Sequence, residues 1–334
     1  MNRLRKSLTV AVTLGLLSAI LLSGCGFISF NTGTISNDGT QAPQAQPSHT
    51  ESEMAAMVIV EPIVELPEVL IPTASGIAVE RNGQAVIDFS NMRDGYIMAK
   101  YIETTDMKIK LLITVPDGVQ YTYALRPNRD FEVFPLSGGD GTYEIGVFKQ
   151  VEGTRYSMVL STTIEVKLVD EFAPFLRPNQ YVNFNQGSAA VRKAAELTAG
   201  KAEFMEKVAA IYHFVITTID YDVELAETVQ SDYLPDVDSI LRRGMGICFD
   251  YASLMAAMLR SQGIPTKLAI GYTGDVYHAW ISVYCKEDGW LDNIIHFDGH
   301  SWELVDPTFA ASGSAVEVSQ YIGDGSNYTV KFLH

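Results

Sequence analysis

Cysteine is scarce in this chain: three residues in 334, alongside three tryptophans and six histidines. So few thiols exclude a disulfide-stapled scaffold, even for a protein on the oxidising side of a membrane. Cations are short as well, 24 Lys and Arg against 40 Asp and Glu, for a formal charge of −16. No basic cluster follows the first few residues, so the chain has nothing with which to meet a phosphate backbone, and nucleic-acid binding is excluded. Charged residues make up only 19% of the total and apolar residues 47%. That balance buries a core rather than leaving the chain disordered. At roughly 150 residues per domain the length accommodates two.

What is present begins with a basic start, Arg3, Arg5 and Lys6, followed by an apolar run from Leu8 to Leu22. This is the charged and hydrophobic pair of an export signal, and the run is too short for a membrane span. Leu22-Ser23-Gly24-Cys25 follows, a word that resembles the lipobox of bacterial lipoprotein precursors. The resemblance implies cleavage before Cys25, a thioether-linked diacylglycerol on its sulfur, and a protein held at the extracytoplasmic face of a cell membrane. Loss of residues 1–24 removes three cations and no acids, which takes the formal charge to −19.

Residues 25–75 read as a flexible tether. Asn31 to Ser52 is rich in Asn, Thr, Ser, Gln, Pro and Gly and cannot bury enough apolar surface to order itself. The segment after it, with Glu61-Pro62, Pro67-Glu68 and Pro72, is expected to lie extended along the first domain. Residues 76–169 show short alternating runs such as Lys108 to Val115, Val119 to Leu125 and Met158 to Leu168, separated by Pro116-Asp117-Gly118 and Gly138-Gly139-Asp140-Gly141. Period-two alternation between such turns indicates antiparallel strands, and the length fits an immunoglobulin-like β-sandwich. Nothing in it has a catalytic pattern, so it is expected to be a spacer or binding module. A packed linker of Phe172-Ala173-Pro174-Phe175 leads into residues 170–334. There the period changes: Ala190, Val191, Ala194 and Leu197, then Phe204, Val208, Ile211, Tyr212 and Val215, recur at three and four residues and give two amphipathic helices.

Gly244-Met245-Gly246-Ile247-Cys248 runs into a helix whose apolar face holds Leu254, Met255, Met258 and Leu259 and which ends near Gly263-Ile264-Pro265. Cys248 therefore sits at or near a helix N-terminus, where the free N–H groups and the positive dipole end favour thiolate and are able to meet an oxyanion. Strands follow at Lys267 to Tyr272 and His278 to Tyr284, joined by Thr273-Gly274-Asp275, and a further pair spans Asn293 to Phe297 and Ser301 to Pro307. Neighbouring strands lie about 5 Å apart, which suits His278 and Asp306 as adjacent partners.

Gly246 to Ala252, Gly263-Ile264-Pro265, Gly271-Tyr272, His278-Ala279-Trp280 and Asp306-Pro307-Thr308 together resemble the transglutaminase-like superfamily. The resemblance implies a papain-like α+β domain, making the whole chain α+β, with Cys248 as nucleophile, His278 as its base and Asp306 orienting the imidazole. The chemistry agrees: a thiolate paired with imidazolium attacks an amide carbonyl, and water or an amine resolves the acyl-enzyme.

Tyr221-Asp222 resembles a word common in bacterial members and is expected to line the cleft, and the side-chain oxyanion donor is sought near Gln230 and Tyr233. Trp280 is expected to pack the sheet. His296, His300 and Asp298 flank a turn and read as a solvated hairpin rather than a metal site. Cys285 lies seven residues beyond His278, about 23 Å along an unbroken strand. A Cys248–Cys285 disulfide is therefore incompatible with a Cys248–His278 contact, and Cys285 is expected to be a buried spectator. No cofactor and no metal are expected. The expected partners are a protein or cell-wall peptide substrate and the membrane through Cys25. Hydrolysis ranks above cross-linking, since no set of oxygen ligands matches a calcium site. The alternative is a non-enzymatic envelope binding protein with a structural transglutaminase-like fold.

Overall fold

Residues 65–287, 289–292, 296–297, 302–303 and 328–334 are described in the computed structural model. The expected export signal, Cys25 and most of the expected tether lie outside them, as do Asp298, His300 and Asp306. Among the described residues no helix is long and apolar enough to cross a membrane.

The alternating runs form eight strands: β1 (Val79–Arg81), β2 (Ala85–Asp88), β3 (Tyr96–Tyr101), β4 (Ile109–Thr114), β5 (Gln120–Leu125), β6 (Glu132–Pro135), β7 (Gly141–Glu152) and β8 (Arg155–Val166). They pair antiparallel into two four-stranded sheets, ordered β1-β2-β3-β6 and β5-β4-β7-β8. The period-two pattern places the core: Ile109, Leu111 and Ile113 of β4 and Tyr121, Tyr123 and Leu125 of β5 are buried, and they meet Ile87, Ile97, Tyr101 and Phe134 of the other sheet in one cluster. Each fully buried aliphatic side chain contributes about 2 kcal/mol from area removed from water.

The second half opens with α1 (Ala189–Thr198) and α2 (Phe204–Thr218), the two helices read from the sequence. It continues through β9 (Asp220–Tyr221), α3 (Val223–Thr228), α4 (Val237–Arg243), β10 (Met245–Gly246), α5 (Cys248–Ser261), β11 (Thr266–Thr273), β12 (Val276–Cys285), β13 (Gly289–Asp292), β14 (His296–Phe297), β15 (Trp302–Glu303) and β16 (Tyr328–Leu333). A four-stranded sheet has the order β13-β12-β11-β16, and β14 pairs with β15 on their own. Helix α5 is not amphipathic in effect, because every residue from Asp250 to Ser261 is buried. It is the central helix of its layer, with Leu268 and Ile270 of β11 and Ala279, Ile281 and Val283 of β12 on one side and α1 and α2 on the other.

A helix buried all round must satisfy its polar residues internally. Ser253 Oγ donates to Tyr181 O at 2.6 Å. The Arg260 guanidinium donates to Thr266 O, Arg177 O and His334 O at 2.7 to 2.9 Å, tying the linker, the start of β11 and the end of β16 to one side chain. Burial lowers its pKa to about 9. The two halves belong to a single unit, Glu61–His334. Tyr121 Oη accepts from Leu333 N–H at 3.1 Å, and Gln180 Nε2 bonds both Ala124 O and Glu132 Oε2, at 2.6 and 2.8 Å.

Residues 67–73, placed by sequence in the expected tether, contact both halves. Val69 is buried among the helices of the second half, and its N–H bonds Gln186 Oε1 at 2.9 Å, while Gln186 Nε2 returns to Pro67 O at 2.9 Å. Thr73 then engages Tyr96 and Asn91 of the β-rich half. Val69 is the buried member of an apolar, proline-containing stretch whose Leu70 and Ile71 stay exposed, and no periodicity announces which of them docks.

Candidate active site

Tyr221 and Asp220 pair in parallel with Gly246 and Met245, so the word after α2 fixes the strand that delivers the chain to Cys248. Asp220 N–H bonds Gly244 O at 2.8 Å and Asp222 N–H bonds Gly246 O at 2.9 Å. Gly244, in the left-handed region at φ 64°, ends α4 and turns the chain into this pairing. Cys248 is the first residue of α5 and half-buried. The first bond inside the helix runs from Tyr251 N–H to Ile247 O at 3.0 Å, so the N–H groups of Cys248, Phe249 and Asp250 precede the helical ladder.

Ile247, at the cap position, has no side-chain acceptor to offer. Its own N–H is instead taken by Asp250 Oδ2 at 2.9 Å, and Tyr233 Oη donates to Asp250 Oδ1 at 2.7 Å. Gly246 makes this possible: a Cβ there would stand 2.6 Å from Asp250 Cβ. Burial pushes the Asp250 carboxyl above its ordinary value, opposed by the bonds from Tyr233 and Ile247 and by the charge of Arg243. Burial, then Asp250 beside it, also raises the Tyr233 hydroxyl. The Tyr233 proton points to Asp250 rather than to a reacting carbonyl, and Gln230 Nε2 donates to Thr228 O at 2.8 Å. Asp250 was not among the residues expected from the sequence. An acid three residues after a cap is the available signal, but the cap here is Ile rather than Ser or Thr.

A cavity of about 620 Å³ is lined by both Cys248 and His278, with Tyr221, Gln230, Tyr233, Tyr277 and Tyr181 among its other walls. The pleat of β12 sorts its residues. Ala279, Ile281 and Val283 pack with α5, so Tyr277 shares their face, while His278 and Trp280 stand on the opposite one. The His278 ring is 4% exposed as a residue and stacks on Trp280 at 6.1 Å between centroids, with Tyr328 of β16 at 6.4 Å. Trp280 meets Tyr328 edge-on at 5.0 Å. Gly271 lies opposite His278, and a Cβ there would be 3.0 Å from Trp280 Cη2 and 2.0 Å from Thr329 O. The glycine in that word thus admits both the indole and the neighbouring strand.

Tyr277, 59% exposed, packs edge-on against Tyr272 at 5.4 Å on the cavity rim. Burial of its hydroxyl raises its pKa, followed by Tyr272 and Cys248 as neighbouring charges. Cys285 is buried and its thiol donates to Glu287 Oε2 at 3.2 Å. Both described cysteines, Cys248 and Cys285, are free thiols.

Residues 191–293 match the family model of the Transglutaminase-like superfamily. The uncharacterized protein YebA of Bacillus subtilis (strain 168) is 27% identical over 117 residues, 29% of this chain and 16% of that protein. A Protein-glutamine gamma-glutamyltransferase of Pseudomonas aeruginosa is 29% identical over 99 residues, 25% of this chain and 13% of that protein. The chain therefore spans less than a fifth of the length of these curated relatives. Among solved structures, a cysteine protease candidate from Cytophaga hutchinsonii shares 17% identity over 72% of this chain and 91% of that one, at a TM-score of 0.33. Red sea bream transglutaminase shares 12% over 72% and 49%, at a TM-score of 0.27.

Proposed function

We propose, from the transglutaminase-like domain that this chain carries, that it is a cysteine acyl-transfer enzyme of the cell envelope acting on amide bonds of proteins or cell-wall peptides. In this reading Cys25 bears the lipid that holds it at the extracytoplasmic face, and the β-rich half is an immunoglobulin-like module that sets the catalytic half off from the membrane. Cys248 is the nucleophile, His278 its base, and Asp306 the carboxylate that orients the imidazole.

The observation that carries the reading is the position of Cys248, at the first residue of a buried helix and on the wall of a cavity that His278 also borders. The sulfur forms a C–S bond to the amide carbonyl carbon, and the oxyanion lies near the N–H groups that open α5. Collapse breaks the C–N bond, and the imidazolium returns its proton to the departing amine. Water then releases the acid, or a second amine takes the acyl group. Incubating the purified protein with envelope extract and a labelled amine, followed by mass spectrometry, tests this. An acyl adduct on Cys248, lost in Cys248→Ala, is the expected result. An amine label incorporated equally by Cys248→Ala overturns it.

A second reading, a binding module without turnover, is favoured by the packing of His278 against Trp280 and Tyr328 on the sheet face turned away from α5. It expects Cys248→Ala to keep the phenotype of the native chain while deletion of residues 77–168 abolishes it.

A further inference from the structure

A second cavity, about 450 Å³, lies against the β-rich half. Its walls include Lys108 and Lys110 by β4, Thr122 and Ala124 of β5, and Asp232 from the segment between α3 and α4. Tyr181, Ser231 and Tyr233 line this cavity and the Cys248 cavity alike. The two spaces thus meet at one shared wall. Each has the size of a small-molecule site, so an occupant that fills both is longer than one such ligand.

The edge of β5 says what kind of chain fits. In the sheet order β5-β4-β7-β8, β5 is a terminal strand. Val115 N–H bonds Val119 O, and the register pairs Ile113 with Tyr121 and Leu111 with Tyr123. Alternation in an antiparallel ladder then turns the N–H and C=O of Tyr121 and Tyr123 toward β4 and those of Thr122 and Ala124 away from it. Gln180 Nε2 reaches Ala124 O from that outer side at 2.6 Å, which agrees with the direction. Thr122 offers its main-chain groups along an edge, the arrangement with which an extended peptide pairs as an added strand. Across the cleft Lys108 Nζ stands 3.6 Å from Asp232 Oδ2, with both side chains more than half exposed. Such a pair is worth at most about 1 kcal/mol, weak enough for an entering peptide to displace.

We propose that the acyl donor is an extended polypeptide that runs from Cys248 over the Tyr181–Tyr233 wall and pairs with the free edge of β5 at Thr122. This rests on Cys248 as the nucleophile and gives the β-rich half a part in substrate recognition. Single amides and short side-chain donors occupy only the first cavity.

Chloroacetyl peptides test it, since a thiolate displaces chloride and forms a C–S bond without further recognition. The probes are chloroacetyl-tetra-alanine and chloroacetyl-alanine, each ending in a benzophenone-bearing residue, applied to the full chain and irradiated. Crosslinks from the long probe to residues 105–110 or 122–126, with the short probe confined to 221–233 and 272–279, are the expected result. Thr122→Pro removes the edge N–H at a position where proline is tolerated, and is expected to lower the long-probe crosslink about tenfold. A Cys248 adduct whose long-probe crosslinks stay within 221–233 and 272–279 overturns the inference and leaves the nucleophile standing. Absence of a Cys248 adduct in the folded chain, with ready labelling after denaturation, overturns both.

Discussion

Tyr233 Oη donates to Asp250 Oδ1 at 2.7 Å, and the other oxygen of that buried carboxylate holds Ile247 N–H at 2.9 Å, one residue before the thiol. The hydrogen bonds fix the first turn of α5 from below and draw one cavity wall toward it. Replacing Asp250 with Ala leaves the buried Ile247 N–H without its acceptor and takes one partner from the part-buried Tyr233 hydroxyl, a loss of about 2 kcal/mol. Asp250→Asn keeps an acceptor and loses less, and Tyr233→Phe costs about 1 kcal/mol. Urea denaturation of the three variants checks the order; an Asp250→Ala midpoint equal to that of the native chain would contradict it.

If His278 activates Cys248, iodoacetamide alkylates Cys248 faster than the buried Cys285 near neutral pH. His278→Ala is then expected to slow Cys248 about tenfold or more while Cys285 stays unchanged. Peptide mapping of the label separates the two sites. Slow labelling at equal rates on both cysteines would remove His278 from the proposed role.

His334 carries a pH dependence of stability. Its Nδ1 lies 3.1 Å from Tyr123 Oη, and burial, helped by the charge of Arg260, lowers its pKa to about 3 from an ordinary 6.5. Above 6.5 the ring is neutral in both the folded and unfolded chain. Between 6.5 and 3 the unfolded chain binds a proton that the folded chain refuses, so stability falls as pH falls, by roughly 1.4 kcal/mol per unit from this group. His334→Phe is expected to be less steep across that window. Urea midpoints at pH 7.5 and 5.0 decide it, and parallel slopes for native and variant chains would refute the assignment.

Gly271→Ala forces a methyl to within 2.0 Å of Thr329 O, a backbone atom, and 3.0 Å of the Trp280 ring. The register already shifts between Ile270 and Gly271 where β11 meets β16. The substitution is expected to cost about 3 kcal/mol through overpacking and to weaken the β11–β16 ladder. Thermal melting reads the loss, and amide exchange at Val330 and Phe332 locates it. Native-like protection at both would place the strain elsewhere.

Local pattern carried much of this fold. Period two gave the runs around Ile109–Thr114 and Gln120–Leu125, period 3.6 gave α1 and α2, and the glycines around Met245 marked the start of α5. The return of Tyr328–Leu333 beside β11 had no such signal, because its partner lies more than fifty residues away and strand pairing leaves no mark on an isolated segment. The docking of Val69 into the helical core was illegible for the same reason.

Residue order by itself determined which chemistry is available: a thiol at a helix start and an imidazole on a strand. Only tertiary structure decided how they are surrounded. It bonded Tyr233 to Asp250 in the first turn after Cys248, sent Tyr277 to the helix side of β12 and His278 to the other, and set the cavity at Cys248 and a cleft on the β-rich half against one shared wall. Strand alternation is visible in sequence, but which of the two faces receives the helix depends on what packs there, and that is a property of the assembled core.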